Sequence, residues 1–245
     1  MRGSRGGEDA LRMVMASKVV AGFKPSRHGF HFNNAFAGDA VLNLPVPGLG
    51  EIPIGSARRG MCGGMVFAVM DFFYRGLAVP ADTEAPRAGT PLFRYIARRL
   101  LDSFNGPRGV LKYYTWMSLP DRPFALRRPK SIVWHTVNDE WPGIRRELDR
   151  GRLCPLGLIK VKSIDPFKLG ENHQVLAYGY ELDESTGDLE LSVYDPNHHD
   201  DDDVTLALNV AGCDEISYTV DAKARGFFRT RYRPRNPIFA LSTLV

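Results

Sequence analysis

Three residue types that can share one nucleophilic reaction stand far apart in the chain: Cys62, His173 and Asp195. Cys62 lies in GMCGG, where a dense apolar run begins, so it is expected in the first turn of a buried helix. The unpaired N–H groups and the dipole of a helix N-terminus favour the thiolate, which is the form of cysteine that attacks carbonyl carbon. A cysteine in this position can equally be a small buried hydrophobe, so partner residues must decide between the two interpretations.

A matching base and a carboxylate occur on two consecutive predicted strands. His173 opens NHQVLAYGY and Asp195 closes LSVYDPN, and the DESTGD turn between them predicts a hairpin that brings both residues to one end of a sheet. A nucleophile, a base and a carboxylate that orients the base are the three roles of nucleophilic catalysis. His173 can also be a strand-end histidine with no catalytic role, and Asp195 before a proline is also ordinary turn chemistry.

The elements that must position these residues change character along the chain. Before residue 153 the pattern is helical, with an apolar helix predicted over 62–75, an amphipathic helix in PLFRYIARRLLDSF and a third helix from Pro142 to Gly151. From Leu153 onward the apolar residues alternate, as in strands joined by short turns. Helices followed by an antiparallel sheet predict the α+β class.

Length and composition favour one folded domain. A chain of 245 residues that is 44% hydrophobic can bury a core without disulfides or metals. We assign residues 1–19 to a flexible N-terminus and residues 20–245 to a single domain, in which residues 76–150 form a helical insertion. Two further cysteines, Cys154 and Cys213, fall in apparent strands, where core positions are expected.

At these residues the chain resembles the papain-like cysteine peptidases, in particular the branch that includes the bacteriocin-processing peptidases of ABC exporters. GMCGG is similar to the cysteine block of that branch, NHQVLAYGYELD to its histidine strand and LSVYDPN to its Asp-Pro strand end. The resemblance covers residues 60–73 and about 153–210. It implies a papain-like fold, in which an N-terminal helical part carries the nucleophile and packs on a C-terminal antiparallel sheet. It also implies that Cys62 is the nucleophile, His173 the general base and acid, and Asp195 the orienting carboxylate.

The chain departs from that family at the oxyanion donor. Papain-like enzymes usually carry a glutamine a few residues before the cysteine, whereas the glutamine of this chain is Gln174. Asn34 is therefore the first candidate for the amide donor and Asn33 the second. The backbone N–H of Cys62 can help, and Gly63 is expected to leave room for a substrate carbonyl to approach the backbone.

The expected reaction is hydrolysis of a peptide or isopeptide bond through a thioester at Cys62, so the partner is a peptide or protein substrate. Acyl transfer and glutamine deamidation use the same three residues and are alternatives. A relative that keeps the fold and only binds a peptide or protein is the alternative outside catalysis. Because side chains supply all three roles, no cofactor is expected.

Composition and local patterns argue against other classes of partner. The 24% of charged residues and the absence of an apolar run of about 18 residues predict no membrane span, and the charged N-terminus does not match a signal peptide. HHDDDD at 198–203 has the residue types of a metal site but not a ligand spacing, so a solvated turn and no metal are expected. RGFFRTRYRPRNP is better explained by a strand with one arginine face than by a nucleic-acid site. Neither the compartment nor the oligomeric state is predicted.

The helical insertion is expected to form one wall of the substrate cleft. It joins the nucleophile helix to the first strand of the sheet, and it contains Tyr113, Tyr114 and Trp116 among turn-forming residues. Aromatic side chains of this kind are suited to holding a peptide, and the alternative is that they belong to the core.

Overall fold

The computed structural model describes six stretches of the chain: residues 15–37, 41–46, 50–56, 61–122, 130–212 and 215–237. The helices within them are α1 (Pro25–His28), α2 (Cys62–Tyr74), α3 (Pro91–Ser103), α4 (Pro107–Ser118), α5 (Ile132–His135) and α6 (Trp141–Asp149). A π-helical segment, Thr136–Glu140, joins α5 to α6, and a 3-10 helix spans Pro166–Glu171. None of the helices in these stretches has the length and apolar character to cross a membrane.

Ten strands occur in the described stretches. They are β1 (Met15–Val19), β2 (Val41–Val46), β3 (Gly50–Ser56), β4 (Cys154–Ile159), β5 (His173–Asp183), β6 (Asp188–Tyr194), β7 (Thr205–Asn209), β8 (Ile216–Tyr218), β9 (Asp221–Ala224) and β10 (Gly226–Arg229). β2 and β3 form a separate hairpin. The other eight strands form one curled antiparallel sheet, in which seven follow the order β10-β4-β5-β6-β7-β8-β9 and β1 pairs with β5. The six α-helices of the described stretches lie before residue 153 and seven of the ten strands lie after it, which is compatible with the predicted α+β class.

The centre of the sheet is the long strand β5. One of its edges is shared, because β4 pairs with residues 173–177 and β1 pairs with residues 179–183. The other edge pairs with β6 through a hairpin with a register shift between Ala177 and Gly179. Residues 173–180 of β5 are buried on both faces, and α2 and α6 both pack against this strand.

The predicted apolar helix is α2, and residues 63–72 of it are all buried. It lies against β5 on one side and against α3 on another. The contact with α3 is close: a Cβ on Gly64 would come within 2.2 Å of the Ile96 carbonyl oxygen. Gly64 is therefore required for packing, and it fixes the depth at which the helix carrying Cys62 sits in the core.

The segment around Tyr113 is a helix that packs its aromatic residues into the core and does not present them as a substrate-binding surface. Pro107 begins α4 after Gly106, which has a φ of 68°. Tyr113 is 2% exposed and Trp116 is 8% exposed, and both rings contact Phe228 of β10. The expectation that these two aromatics line the cleft is wrong, because their spacing of three residues places both on the face of α4 that packs on the sheet.

Two strands differ from the sequence-based expectation. Residues 15–19, which were assigned to a flexible N-terminus, form β1 and pair with β5. In β10, Phe227 and Phe228 are both buried, so the strand is covered on both faces where one arginine face was expected. Arg229 donates from its Nε to Glu140 Oε2 at 3.3 Å, because the π-helical segment packs against this strand.

Candidate active site

The β5–β6 hairpin brings His173 and Asp195 into direct contact. Leu176 pairs with Tyr194, so the first residue of β5 and the residue that follows β6 lie at the same end of the sheet. His173 Nε2 is 2.6 Å from Asp195 Oδ1, and the two residues are 6% and 1% exposed. The pairing that the sequence predicted is thus a buried hydrogen bond of the strength typical of charged partners.

The Asp195 carboxylate has donors on both oxygens. Oδ1 accepts from His173 and from the backbone N–H of Asn197 at 2.8 Å, while Oδ2 accepts from the Tyr218 hydroxyl. The contact with Asn197 is the turn interaction that an Asp-Pro-Asn sequence favours. Asp195 therefore has both of the roles that were weighed for it from sequence: it shapes the turn and it contacts the histidine.

The electrostatics of the pair stabilise its charged form. Burial alone would raise the pKa of Asp195, but the charge of His173 and the hydrogen bonds from His173, Tyr218 and Asn197 lower that pKa to about 2. Burial alone would lower the pKa of His173, but the Asp195 charge outweighs it, and Cys62 adds to the effect, so that pKa is raised to about 10. An imidazolium between a carboxylate and a thiolate is the state in which a cysteine nucleophile is activated.

Cys62 is the first residue of α2, and it is half-buried. Its thiol is near enough to His173 to raise the pKa of the imidazole both by charge and by hydrogen bonding. Because Nε2 of the ring faces Asp195, Nδ1 is the nitrogen left for the thiol. Met61, at the N-cap, provides no side-chain acceptor, so the first N–H groups of α2 are not capped by that residue.

The second thiol of the described residues, that of Cys154, belongs to the core. Cys154 lies in β4 and is 2% exposed, as expected for a core position. Burial raises the pKa of the Cys154 thiol to about 12, so it is unreactive near neutral pH. Cys213 lies outside the described residues. The contrast between Cys62 and Cys154 provides an internal reference for reactivity.

The space beside Gly63 is filled by the protein. A Cβ on Gly63 would come within 2.4 Å of Ser103 Oγ and 2.6 Å of Gln174 Nε2. Gln174 Nε2 donates to Ser103 Oγ at 3.0 Å, and both side chains are buried. The expectation that Gly63 leaves room for a substrate carbonyl on this side is therefore wrong, since that room is needed for the approach of Ser103 and Gln174.

Asn34 and Asn33, the two candidates for an upstream amide, have different positions. Met61 N donates to Asn34 Oδ1, which places the Asn34 amide at the residue preceding Cys62. Asn34 Nδ2 donates to Asn197 Oδ1 at 3.1 Å. Asn33 is exposed, and its Oδ1 accepts from the backbone N–H of His199 at 3.1 Å. The structure brings Asn34, and not Asn33, to the start of α2.

The acidic loop after Asp195 ties two segments of the chain together. Asp200 contacts His31 at 2.7 Å, and Asp202 accepts from the backbone N–H of Ser26 at 2.9 Å and from its hydroxyl at 2.8 Å. Across the described ranges, no three His, Cys, Asp or Glu side chains are grouped so that they could hold a metal ion. The carboxylates of this loop act as hydrogen-bond acceptors for the segment that contains Asn34.

Sequence reasoning did not identify two side chains of this site. Tyr218 lies in β8 within EISYTV, where its alternation with apolar residues predicts only a core position. Asn197 was visible in the DPN sequence, but its residue type is explained by the turn alone. Only the pairing of distant segments in three dimensions shows that one contacts the Asp195 carboxylate and the other contacts Asn34.

Comparison with protein-family models, with curated proteins and with solved structures found no match for this chain. The geometry of the site is therefore the basis on which its chemistry is argued.

Proposed function

We propose that this protein is a papain-like cysteine hydrolase that cleaves a peptide or isopeptide bond through a thioester at Cys62. The observation that carries the proposal is the position of His173, whose Nε2 lies 2.6 Å from Asp195 Oδ1 while the ring adjoins the thiol at the start of α2. A nucleophile on a helix, a base on a strand and a carboxylate behind the base make up a triad for acyl chemistry.

The reaction follows from the proton that His173 carries. With the thiol proton already on His173, the Cys62 thiolate attacks the carbonyl carbon, so that an S–C bond forms and the carbonyl electron pair moves to oxygen. When this intermediate collapses, the C–N bond breaks and His173 returns the proton to the leaving amine. Water then attacks the thioester with His173 as base, which releases a carboxylic acid and regenerates the thiol.

The negative oxygen of the intermediate needs donors at the start of α2. The first N–H groups of the helix, which the Met61 side chain does not cap, lie at this place, and so does the amide of Asn34, whose Oδ1 accepts from Met61 N. Donors of this kind are effective because they are held in position before charge develops. We assign Asn34 as the side-chain donor, in the position that a glutamine has in the family which the chain resembles.

The test of the proposal is the reactivity of Cys62 toward iodoacetamide at pH 6, with each thiol quantified by peptide mapping. Because His173 supplies a cation beside the thiol, Cys62 should react faster than free cysteine in the same buffer, while Cys154 should remain unlabelled. A rate for Cys62 no higher than that of free cysteine would refute an activated nucleophile and favour the peptide-binding alternative.

A matched control separates the effect of His173 from that of any histidine. His173→Ala should reduce the labelling of Cys62, whereas His135→Ala should not. His135 makes a similar contact with a carboxylate, Asp139 Oδ2 at 2.6 Å, but it lies at the end of α5 and not beside the start of α2. Mass spectrometry of the products then distinguishes a cleaved chain, an acyl group transferred to an amine, and a glutamine converted to glutamate.

A further inference from the structure

A chain of hydrogen bonds leads from the carboxylate end of the triad back to the nucleophile. The backbone N–H of Asn197 donates to Asp195 Oδ1 at 2.8 Å, and the Asn197 side chain accepts from Asn34 Nδ2 at 3.1 Å. Asn34 Oδ1 in turn accepts from the backbone N–H of Met61, which precedes Cys62. Asn197 thus contacts the triad through its backbone and Asn34 through its side chain.

The orientations of both amides follow from these partners. The N–H of Met61 can only donate, so the atom of Asn34 that faces it is the oxygen, and Nδ2 is on the other side. Nδ2 can only donate, so the atom of Asn197 that faces it is also an oxygen. An amide nitrogen carries two hydrogens, and Asn197 uses one of them.

The backbone around this contact is also held. Asn34 N donates to the Pro196 carbonyl at 2.8 Å, and His199 N donates to Asn33 Oδ1 at 3.1 Å. The segment that contains Asn33 and Asn34 is therefore joined to the loop after Asp195 by hydrogen bonds that do not depend on the Asn197 side chain. Removing that side chain should loosen the Asn34 amide while leaving the loops and the Asp195 contact in place.

We propose that Asn197 is a positioning residue that holds the Asn34 amide beside the start of α2, where the Nδ2 hydrogen that Asn197 does not use donates to the oxyanion of the tetrahedral intermediate. The inference rests on the proposed cysteine hydrolase function. It explains how an asparagine can take the place of the glutamine that precedes the cysteine in the family which the chain resembles. The asparagine side chain is shorter, but its amide is held by hydrogen bonds on two sides. A donor that is already held in position needs little reorganisation when the negative charge develops.

Two probes separate this role from the reactivity of the thiol. Acylation of Cys62 by p-nitrophenyl acetate passes through an oxyanion, because sulfur adds to a carbonyl carbon before p-nitrophenolate leaves. Alkylation by iodoacetamide displaces iodide at a saturated carbon and forms no oxyanion. Asn197→Ala should slow acylation by about tenfold, and Asn34→Ala by about a hundredfold, while alkylation rates stay unchanged. The double variant should be no slower than Asn34→Ala, since one residue acts through the other.

Two further variants complete the experiment. Asn197→Asp keeps an acceptor oxygen for Asn34 Nδ2 and should retain most of the acylation rate. Asn209→Ala, which removes an asparagine amide bonded to Thr186 and Asp188 far from the site, should change neither rate. Thermal unfolding of each variant shows whether the fold is intact.

The outcomes are distinct. An unchanged ratio of acylation to alkylation in Asn197→Ala would overturn the positioning role, and so would an equal fall of both rates, which would indicate a structural effect on the loops. If the parent itself shows neither accelerated alkylation nor acylation at Cys62, the proposed function fails, and the inference fails with it.

Discussion

The helix α2 reaches a cluster of buried charges and hydroxyls at each of its ends. At its start, Cys62 adjoins the pair His173 and Asp195. Near its other end, Asp71 lies 2.7 Å from Arg99 Nε and accepts from the hydroxyls of Tyr95 and Tyr232, both at 2.6 Å. Both clusters combine a buried carboxylate, a buried cation and at least one tyrosine hydroxyl.

The two clusters differ in whether all the groups around the buried cation belong to a fixed network of hydrogen bonds. Arg99 also contacts Asp102 at 2.8 Å and the Arg233 carbonyl at 2.8 Å, so its guanidinium is held by several parts of the protein. At the other end the imidazole uses one nitrogen for Asp195 and faces a half-buried thiol with the other. A buried charge cluster thus indicates stability when its cation is enclosed, and chemistry when its cation adjoins an accessible nucleophile.

The largest expected effect is the loss of activity when the cluster at the start of α2 loses its thiol. Cys62→Ala should reduce turnover of any substrate by at least about a thousandfold, because it removes the thiol that forms the acyl-enzyme in the proposed reaction. The free energy of unfolding should change little, since the side chain is small and half-buried. Denaturation of the variant in urea checks this, and a large loss of stability would favour a structural cysteine.

The largest expected effect on stability is at the cluster of Asp71 and Arg99. Arg99→Met should lower the free energy of unfolding by about 3–5 kcal/mol, because it leaves the buried Asp71 carboxylate without its cation. The rate of Cys62 alkylation in the folded fraction should be unchanged. As a control, Lys162→Met breaks the exposed pair with Asp121 and should cost less than about 1 kcal/mol.

Removing the charge of Asp195 should reverse the shift of its partner. In Asp195→Asn the pKa of His173 should fall, because the Asp195 charge is the largest of the contributions that raise it and burial, which lowers it, remains. NMR titration of the histidine ring, assigned with His173→Gln, measures this. An unchanged His173 pKa in Asp195→Asn would show that the carboxylate does not control the imidazole.

The same pair sets a pH window for stability. The raised pKa of His173 contributes stability below about pH 6.5, and this is lost as pH rises through the folded-state value. The lowered pKa of Asp195 contributes stability above about pH 3.9, and this is lost as pH falls. The difference in unfolding free energy between the parent and Asp195→Asn should therefore be greatest between these two pH values.

The smallest expected effect concerns the hydroxyl behind the carboxylate. Tyr218→Phe removes a donor to Asp195 Oδ2 and should cost about 1–3 kcal/mol, because a buried acceptor loses its partner. It should also move acid unfolding to higher pH, since that hydrogen bond lowers the pKa of Asp195. Tyr180→Phe is the matched control: its hydroxyl contacts Asp149, a half-exposed carboxylate, and neither change is expected.

Local patterns predicted the parts of the site that lie on single elements. The apolar run after Cys62 predicted α2, and the DESTGD turn predicted the hairpin that joins His173 to Asp195. The contributions of Tyr218 and Asn197 were not predictable in this way, because each depends on a pairing between segments whose residue types are ordinary for a strand and a turn. Asn34 was the first candidate and Asn33 the second from sequence, and the structure places the Asn34 amide against Met61.

The sequence did not predict α4 or β1, and the two errors have a related cause. α4 follows a turn at Gly106, and its apolar face was obscured by polar residues and glycine in its first turn. β1 is short and largely exposed, so it has little alternation to identify it, and only pairing with β5 makes it a strand. In both cases tertiary contacts, rather than local sequence preference, decide the structure.

The order of the strands sets the order in which the chain can fold. Strands β5 to β9 are paired consecutively, whereas β10 returns to β4 and β1 pairs with the far part of β5, where Met15 lies opposite Asp183. Consecutive hairpins close short loops, while pairings between distant segments must order a long loop before any contact compensates for the lost entropy. The β1 pairing lies along the same edge of β5 as the β4 pairing that includes His173, and the β10 pairing lies on the other edge of β4. We therefore expect refolding protein to regain its reactive thiol in the slowest kinetic phase, after most of its strand content has formed.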